Sequence, residues 1–378
     1  MKSKLLWPFV AVMATSLFLG SCRKDLDEGP PVCHDGVTVT TSKVVASGFN
    51  NPRGLKFGPD GNLYVAEGGI GGTNVSTGCQ QAPPPAGPYR GSNTGSRVSR
   101  VDWKGNRTTV ADNLPSTSSG VETGSGVTGM ADVGFIGDHL YALIGGAGCS
   151  HGVPDIPNGI IKVLPDEKWS LIADYSKFIL ANPGVNFNPN DYTPDGNPFS
   201  MVVVRNNFYV IEPNTGVLDK ISLDGSVHRV VDISATQGHT IPTAVTFHQG
   251  YFYVGDLGTF PISGNSNIYK ISPSGDIKIF ATGFSSILSL VFDDHDRLYV
   301  LENTVGAPGP TPGLGDVVRL DPSGKREVVV SGLNLPTAIT FGPDGKMYIS
   351  NWGIGAPGMG EILQVTFKCE MVHGDKSD

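Results

Sequence analysis

Charge is scarce in this chain. Only 16% of its 378 residues are Asp, Glu, Lys or Arg, and the 27 basic residues are outnumbered by 35 acidic ones. At a net charge of −8 with no basic block, there is no positive face of the kind that holds a phosphate backbone, so no nucleic-acid partner is expected. Aromatic residues make up only 8%, and cysteines number 5. No His-Glu-x-x-His run and no Gly-x-x-x-x-Gly-Lys loop occurs, which removes the usual signatures of zinc-peptidase and nucleotide chemistry. Beyond residues 5–19 no apolar run is long enough to cross a bilayer. What the chain has in plenty is Gly (51) and Pro (28), a composition that suits many short strands joined by tight turns. Its 39% hydrophobic content is enough for a packed core rather than a disordered chain.

The N-terminus reads as a targeting segment. Lys2 and Lys4 precede the apolar run 5–19, which ends in Leu19-Gly20-Ser21-Cys22. A charged start, a short apolar stretch and small residues before the cut describe an export signal. Cys22 after Leu-Gly-Ser resembles a bacterial lipobox, which implies that Cys22 carries a lipid. The expected layout is a lipoprotein signal peptide (1–21), a lipidated polar tether (22–36), a propeller domain (37–372) and a C-terminal tail (373–378). The expected place is the bacterial cell envelope, lipid-anchored to a membrane and either periplasmic or on the outer surface. In such an oxidising space Cys33, Cys79, Cys149 and Cys369 are free to pair.

One pattern recurs six times: an apolar strand, a tight turn, a strand containing Tyr, and then a residue that is usually acidic or Asn. The tyrosines are Tyr64, Tyr141, Tyr209, Tyr253, Tyr299 and Tyr348, and a near-constant period of this size marks a repeat architecture. A second strand pair follows each copy except the last, with turns such as Leu223-Asp224-Gly225 and Pro322-Ser323-Gly324 that tolerate positive φ. The pattern predicts an all-β, six-bladed propeller of four-stranded antiparallel blades. The last unit lacks its outer strand. Residues 43–49 resemble the run before later inner strands, so the N-terminal strand is expected to complete the last blade beside residues 361–367 and close the ring. Closure places Cys33 and Cys369 at the seam and suggests that they pair, leaving Cys79 with Cys149 in neighbouring blades.

The connections within strand pairs are short, whereas residues 68–96, 111–129, 145–159, 175–197 and 303–315 form long loops that should gather on one face. Sites usually lie on such loops. Glu67, Glu212, Asp256 and Glu302 end four of the six Tyr strands at the same offset, with Asn351 in the sixth. They have two readings: a ring of oxygen ligands for a cation, calcium being the candidate cofactor, or caps for the turn N–H groups of each unit. His151 and His239 belong to the long-loop face, and His239, just ahead of an inner strand, is the candidate base. Arg53, Asn197, Thr243 and Thr337 lie at or near the starts of inner strands and are candidate ligand-binding residues, Arg53 as the cation that could orient an anionic group.

The run 49–69, Phe-Asn-Asn-Pro-Arg-Gly-Leu-Lys-Phe-Gly-Pro-Asp-Gly-Asn-Leu-Tyr-Val-Ala-Glu-Gly-Gly, resembles the opening of the ScyD/ScyE family. Asp195-Gly196-Asn197-Pro198-Phe199 and residues 253–261 carry the same resemblance, which extends over about residues 42–366. That family is similar in turn to NHL-repeat and SMP-30/gluconolactonase-like propellers. The resemblance implies a monomeric envelope propeller that binds or scaffolds a small molecule, glycan or protein on its long-loop face. The alternative it implies is a calcium-dependent lactonase or ester hydrolase. The lactonase relatives carry a metal-binding Glu just ahead of the first inner strand, and residues 48–52 here contain none.

Overall fold

The computed structural model describes residues 38–84, 86–119, 126–259, 261–262 and 264–369. Cys22, Cys33, the expected signal peptide and tether, and residues 370–378 lie outside them, and with Cys33 the expected Cys33–Cys369 pair. Six antiparallel sheets form the body, each a four-stranded blade, the first extended by a short fifth strand, Asn74–Val75, on its outer hairpin. The innermost strands are Pro52–Phe57, Met130–Ile136, Ser200–Val204, Pro242–His248, Ile287–Phe292 and Ala338–Phe341. Each packs against the innermost strands of both neighbouring blades, so they close a ring around a central axis.

The seam closes as the repeat predicts. Thr38–Phe49 is the outer strand of the last blade and pairs with Gly360–Cys369, with Lys43 opposite Gln364 and Ser47 opposite Glu361. The N-terminal strand thereby covers the edge of Gly360–Cys369 that would otherwise be left unpaired.

The repeated tyrosine serves the ring. All six tyrosines meet a phenylalanine of the next blade: Tyr64–Phe135, Tyr141–Phe208, Tyr209–Phe252, Tyr253–Phe292, Tyr299–Phe341 and Tyr348–Phe57, at 4.5–5.1 Å between ring centroids. Such pairs contribute about 0.5–1.5 kcal/mol each beyond their buried area. In three blades the Tyr hydroxyl also donates to a turn carboxylate: Tyr64 to Asp60, Tyr299 to Asp293 and Tyr348 to Asp344. The Asp-then-Tyr spacing of the repeat is therefore one unit that fixes the turn and the blade contact together.

Two features exceed the repeat pattern. The outer hairpin of the first blade, expected over residues 97–111, runs over Arg90–Val101 and Arg107–Ser118 and stands up into the long-loop face. Three register shifts carry it there, between Ser92 and Ser99, in a stretch whose Gly and Ser residues give no strand alternation. Short helices, Tyr175–Ala181 and Ile233–Gln237, follow the outer strands of the second and third blades, where Asp174 and Asp232 cap Lys177 and Ala235. Among the described residues no helix is long and apolar enough to cross a membrane.

Candidate functional site

The axis itself is nearly filled. Each blade contributes to its lining, with Arg53, Asp132, Ser200, Val245, Ser289 and Thr337 in blade order, and the space between them is about 30 Å³. That admits a water or two and no larger ligand. Asp132 reaches across because Gly54 has no side chain; a Cβ there would stand 2.0 Å from Asp132 Oδ1. Asp132 accepts hydrogen bonds from the backbone N–H groups of Val133 and Met201. Burial pushes its carboxyl up to about 6.

On the long-loop side the axis opens beside Arg53, which also lines the axial space. Its Nη2 donates to the Val127 carbonyl at 2.5 Å and its guanidinium lies 5.5 Å from the Phe199 ring centroid. No acidic side chain comes within ion-pair distance of it among the described residues. Burial pulls its pKa down to about 10, so it stays charged at neutral pH. One carbonyl and one ring face leave most of the guanidinium's five donors without an anionic partner.

The four repeated carboxylates do not converge. Each is folded into its own blade, where three of them accept an N–H from the loop leading into that blade. Glu67 takes Asn50 N, Glu212 takes Asn197 N and Glu302 takes Ser285 N; Asn351 takes Asn334 N in the same way. Glu67 also accepts from Ser99 Oγ and lies 3.7 and 3.8 Å from Arg97 and Arg107. Glu212 further accepts the N–H groups of Asn214 and Thr215 and the Thr215 hydroxyl. Asp256 accepts from the Tyr269 hydroxyl, and burial pushes it up to about 6. Among the described residues none of the four belongs to a group of three or more acidic, His or Cys ligands close enough to share an ion; the one such group is Asp293, Asp294 and His295, on the opposite face.

Thr243 and Thr337 are likewise committed. Their hydroxyls donate to the Ile287 and Pro52 carbonyls of the next blade at 2.5 and 2.6 Å, and they pin neighbouring inner strands together. Asn197 gives its N–H to Glu212; its side chain is half-buried, two residues before Phe199.

Above the mouth the long loops assemble two His–Asp pairs around a tyrosine. His239 Nε2 lies 3.4 Å from Asp191 Oδ2, and this interaction raises the imidazole above its ordinary value against partial burial. His151 Nδ1 lies 3.7 Å from Asp195 Oδ1, and His151 is fully buried. Burial drives it toward the neutral form, opposed by Asp195. Neither His151 nitrogen, nor Asp195 Oδ1, nor the buried Thr193 hydroxyl has a well-aligned hydrogen-bond partner. Tyr89 links the pairs: its ring lies 4.8 Å from that of His151, and burial, with the charge of Asp191, pushes its hydroxyl up to about 12. Cys79 and Cys149 form the expected disulfide and tie the loop before Tyr89 to the turn that carries His151.

Sequence reasoning picked out both histidines but not their aspartates or Tyr89. The spacing Gly148-x-Ser150-x-Gly152 around His151 was an available signal. It forms a 3₁₀ turn between two antiparallel strands, not a strand-to-helix elbow, and Ser150 is buried with its N–H on Asp195.

These features define a six-bladed β-propeller with a polar site on its long-loop face. No family model matches the chain, and no curated protein matches it. Among solved structures, a gluconolactonase from Xanthomonas campestris is similar at 12% identity and a TM-score of 0.53, over 87% of this chain and 90% of that one. A PQQ-bound aldose sugar dehydrogenase from Streptomyces coelicolor is similar at 13% and 0.52, over 88% and 100%. A Bacteroides thetaiotaomicron protein of unknown function is similar at 12% and 0.57, over 88% and 77%. At these identities the likeness is one of fold, which hosts several chemistries.

Proposed function

We propose that this protein is an envelope lipoprotein, tethered through Cys22, whose propeller binds an anionic small molecule at the long-loop mouth of its axis. The ScyD/ScyE resemblance of residues 49–69 supports the envelope reading. The observation that carries the binding reading is Arg53, a half-buried cation without an acidic partner among the described residues. Asn197 and the His239–Asp191 pair supply further polar contacts around the same mouth. Calcium is not needed on this reading, because Glu67, Glu212 and Glu302 are already satisfied by loop N–H groups.

A second reading is hydrolysis of an anionic ester or lactone, which the gluconolactonase-like fold supports. His239, partly buried beside Asp191, is then the base. The test titrates the purified protein with acetate, gluconate, citrate and phosphate by calorimetry. At least one should bind, and Arg53→Gln should weaken it at least about tenfold, a loss of about 1.4 kcal/mol, with the melting temperature little changed. Equal binding by the variant would refute the role of Arg53. Native mass spectrometry with and without chelator decides the calcium question, and assays of His239→Gln with lactones decide the second reading.

A further inference from the structure

A cavity larger than the axial space lies away from this site. It opens on the short-turn face between the fourth and fifth blades and encloses about 670 Å³, within the span of about 300–1,000 Å³ typical of small-molecule sites. Its floor is a run of rings. His248 stacks on Phe292 at 4.0 Å with an interplanar angle of 11°, and Tyr253 meets both Phe292 and Phe280 edge-on at 4.8 and 5.0 Å. Phe280, on the outer strand Ile277–Phe284, remains 41% exposed. Around these rings stand Gln249, Asp296 and Arg326. The His248 ring is held by a 2.7 Å contact with Asp296, so the floor and one carboxylate are fixed in advance across the blade boundary.

We propose that this cleft binds a neutral pyranose unit of a glycan. The C–H face of a pyranose ring packs against an aromatic surface, while its vicinal hydroxyls ask for planar side chains that accept and donate in pairs. Phe280 and the rings beneath it give the first, and Asp296, Gln249 and Arg326 give the second. A wholly apolar occupant would bury Asp296 and Arg326 without replacing their water. A strongly charged occupant meets both signs at the rim: Asp296 is paired with His248, Asp321 with Arg319, and Arg326 lies 4.3 Å from the Phe284 ring centroid. A neutral polyol with an apolar face fits both demands. This site is independent of Arg53 and of the long-loop face.

The test uses the whole protein and three probes, cellotriose, maltotriose and triacetylchitotriose, followed by saturation-transfer NMR and calorimetry. At least one should bind saturably. Phe280→Ala and Asp296→Asn, both at exposed positions, should each weaken it about tenfold or more while lowering the melting temperature by no more than a few degrees, whereas Arg53→Gln should leave sugar binding unchanged. Absence of binding by all three sugars would overturn the proposal. So would binding that survives both cleft variants, or an apolar dye that occupies the cleft in a Phe280-dependent way and is not displaced by any sugar.

Discussion

Glu302 offers the sharpest test of how the repeated carboxylates work. Its side chain is buried, takes the Ser285 N–H, and shares its surroundings with Asp316. Burial first, and then the Asp316 charge, push Glu302 from an ordinary 4.5 up to about 8, and burial pushes Asp316 up to about 6. The pair holds one proton through the neutral range and releases it as a unit. The folded state therefore binds more protons than the unfolded chain between the two values. Stability is full below about pH 4.5 and falls as pH rises toward 8. At 1.36 kcal/mol per unit the expected loss is on the order of a few kcal/mol between those pH values. Glu302→Gln keeps an oxygen for Ser285 N–H and replaces the shared proton with an amide donor. Urea unfolding at pH 5, 7 and 9 should show a falling wild type and a flatter variant, with the variant the more stable at pH 9. Parallel profiles between pH 6 and 9 would refute the shared proton.

Glu212→Ala strips the acceptor from three backbone N–H groups and a hydroxyl, and should cost about 2–4 kcal/mol in urea unfolding whether or not calcium is present. Cys79→Ser opens a bridge across a sequence separation of 70 residues. It should destabilise by about 4 kcal/mol and weaken ligand binding on the long-loop face, read by melting temperature and calorimetry together. Thr337→Val removes the hydroxyl bond to Pro52 across the closing seam and should cost about 1 kcal/mol while anion affinity stays within twofold.

The ring was legible because each blade repeats the same solution. The tyrosine and the phenylalanine of the next blade recur in all six blades, joined in three of them by a turn carboxylate, so local sequence carries the same long-range contact six times over. The seam was legible for the same reason, since residues 43–49 match the strand that the last blade lacks. The site was only half legible. His239 and His151 could be placed on the long-loop face by counting strands. Their partners Asp191 and Asp195 could not, because both come from one irregular loop whose path follows no period. The aim of the carboxylates was also beyond the pattern: a shared offset fixes which end of a strand a residue occupies, but loop N–H groups decide whether its oxygens turn inward to the blade or outward to the axis.

This division points to where function resides. At the position just after the start of each inner stretch, successive blades carry Arg53, Ala131, Phe199, Thr243, Leu288 and Thr337. The two threonines spend their hydroxyls on the neighbouring blade, as structural residues of a repeat do. Arg53 has no counterpart. It places a cation where the other blades place small or apolar groups, and its guanidinium is met by a Phe199 ring that is itself a departure from the repeat. A charge with no role in closing the ring carries a desolvation cost that the fold does not require. The same holds for the His151–Asp195 pair, which two separate long loops bring together and which is buried with both imidazole nitrogens and Asp195 Oδ1 short of a well-aligned hydrogen bond. On the binding reading proposed above, polar groups that cost stability and repeat nowhere are the ones a ligand would meet, with an anionic group set against Arg53 and hydrogen-bonding groups against the loops.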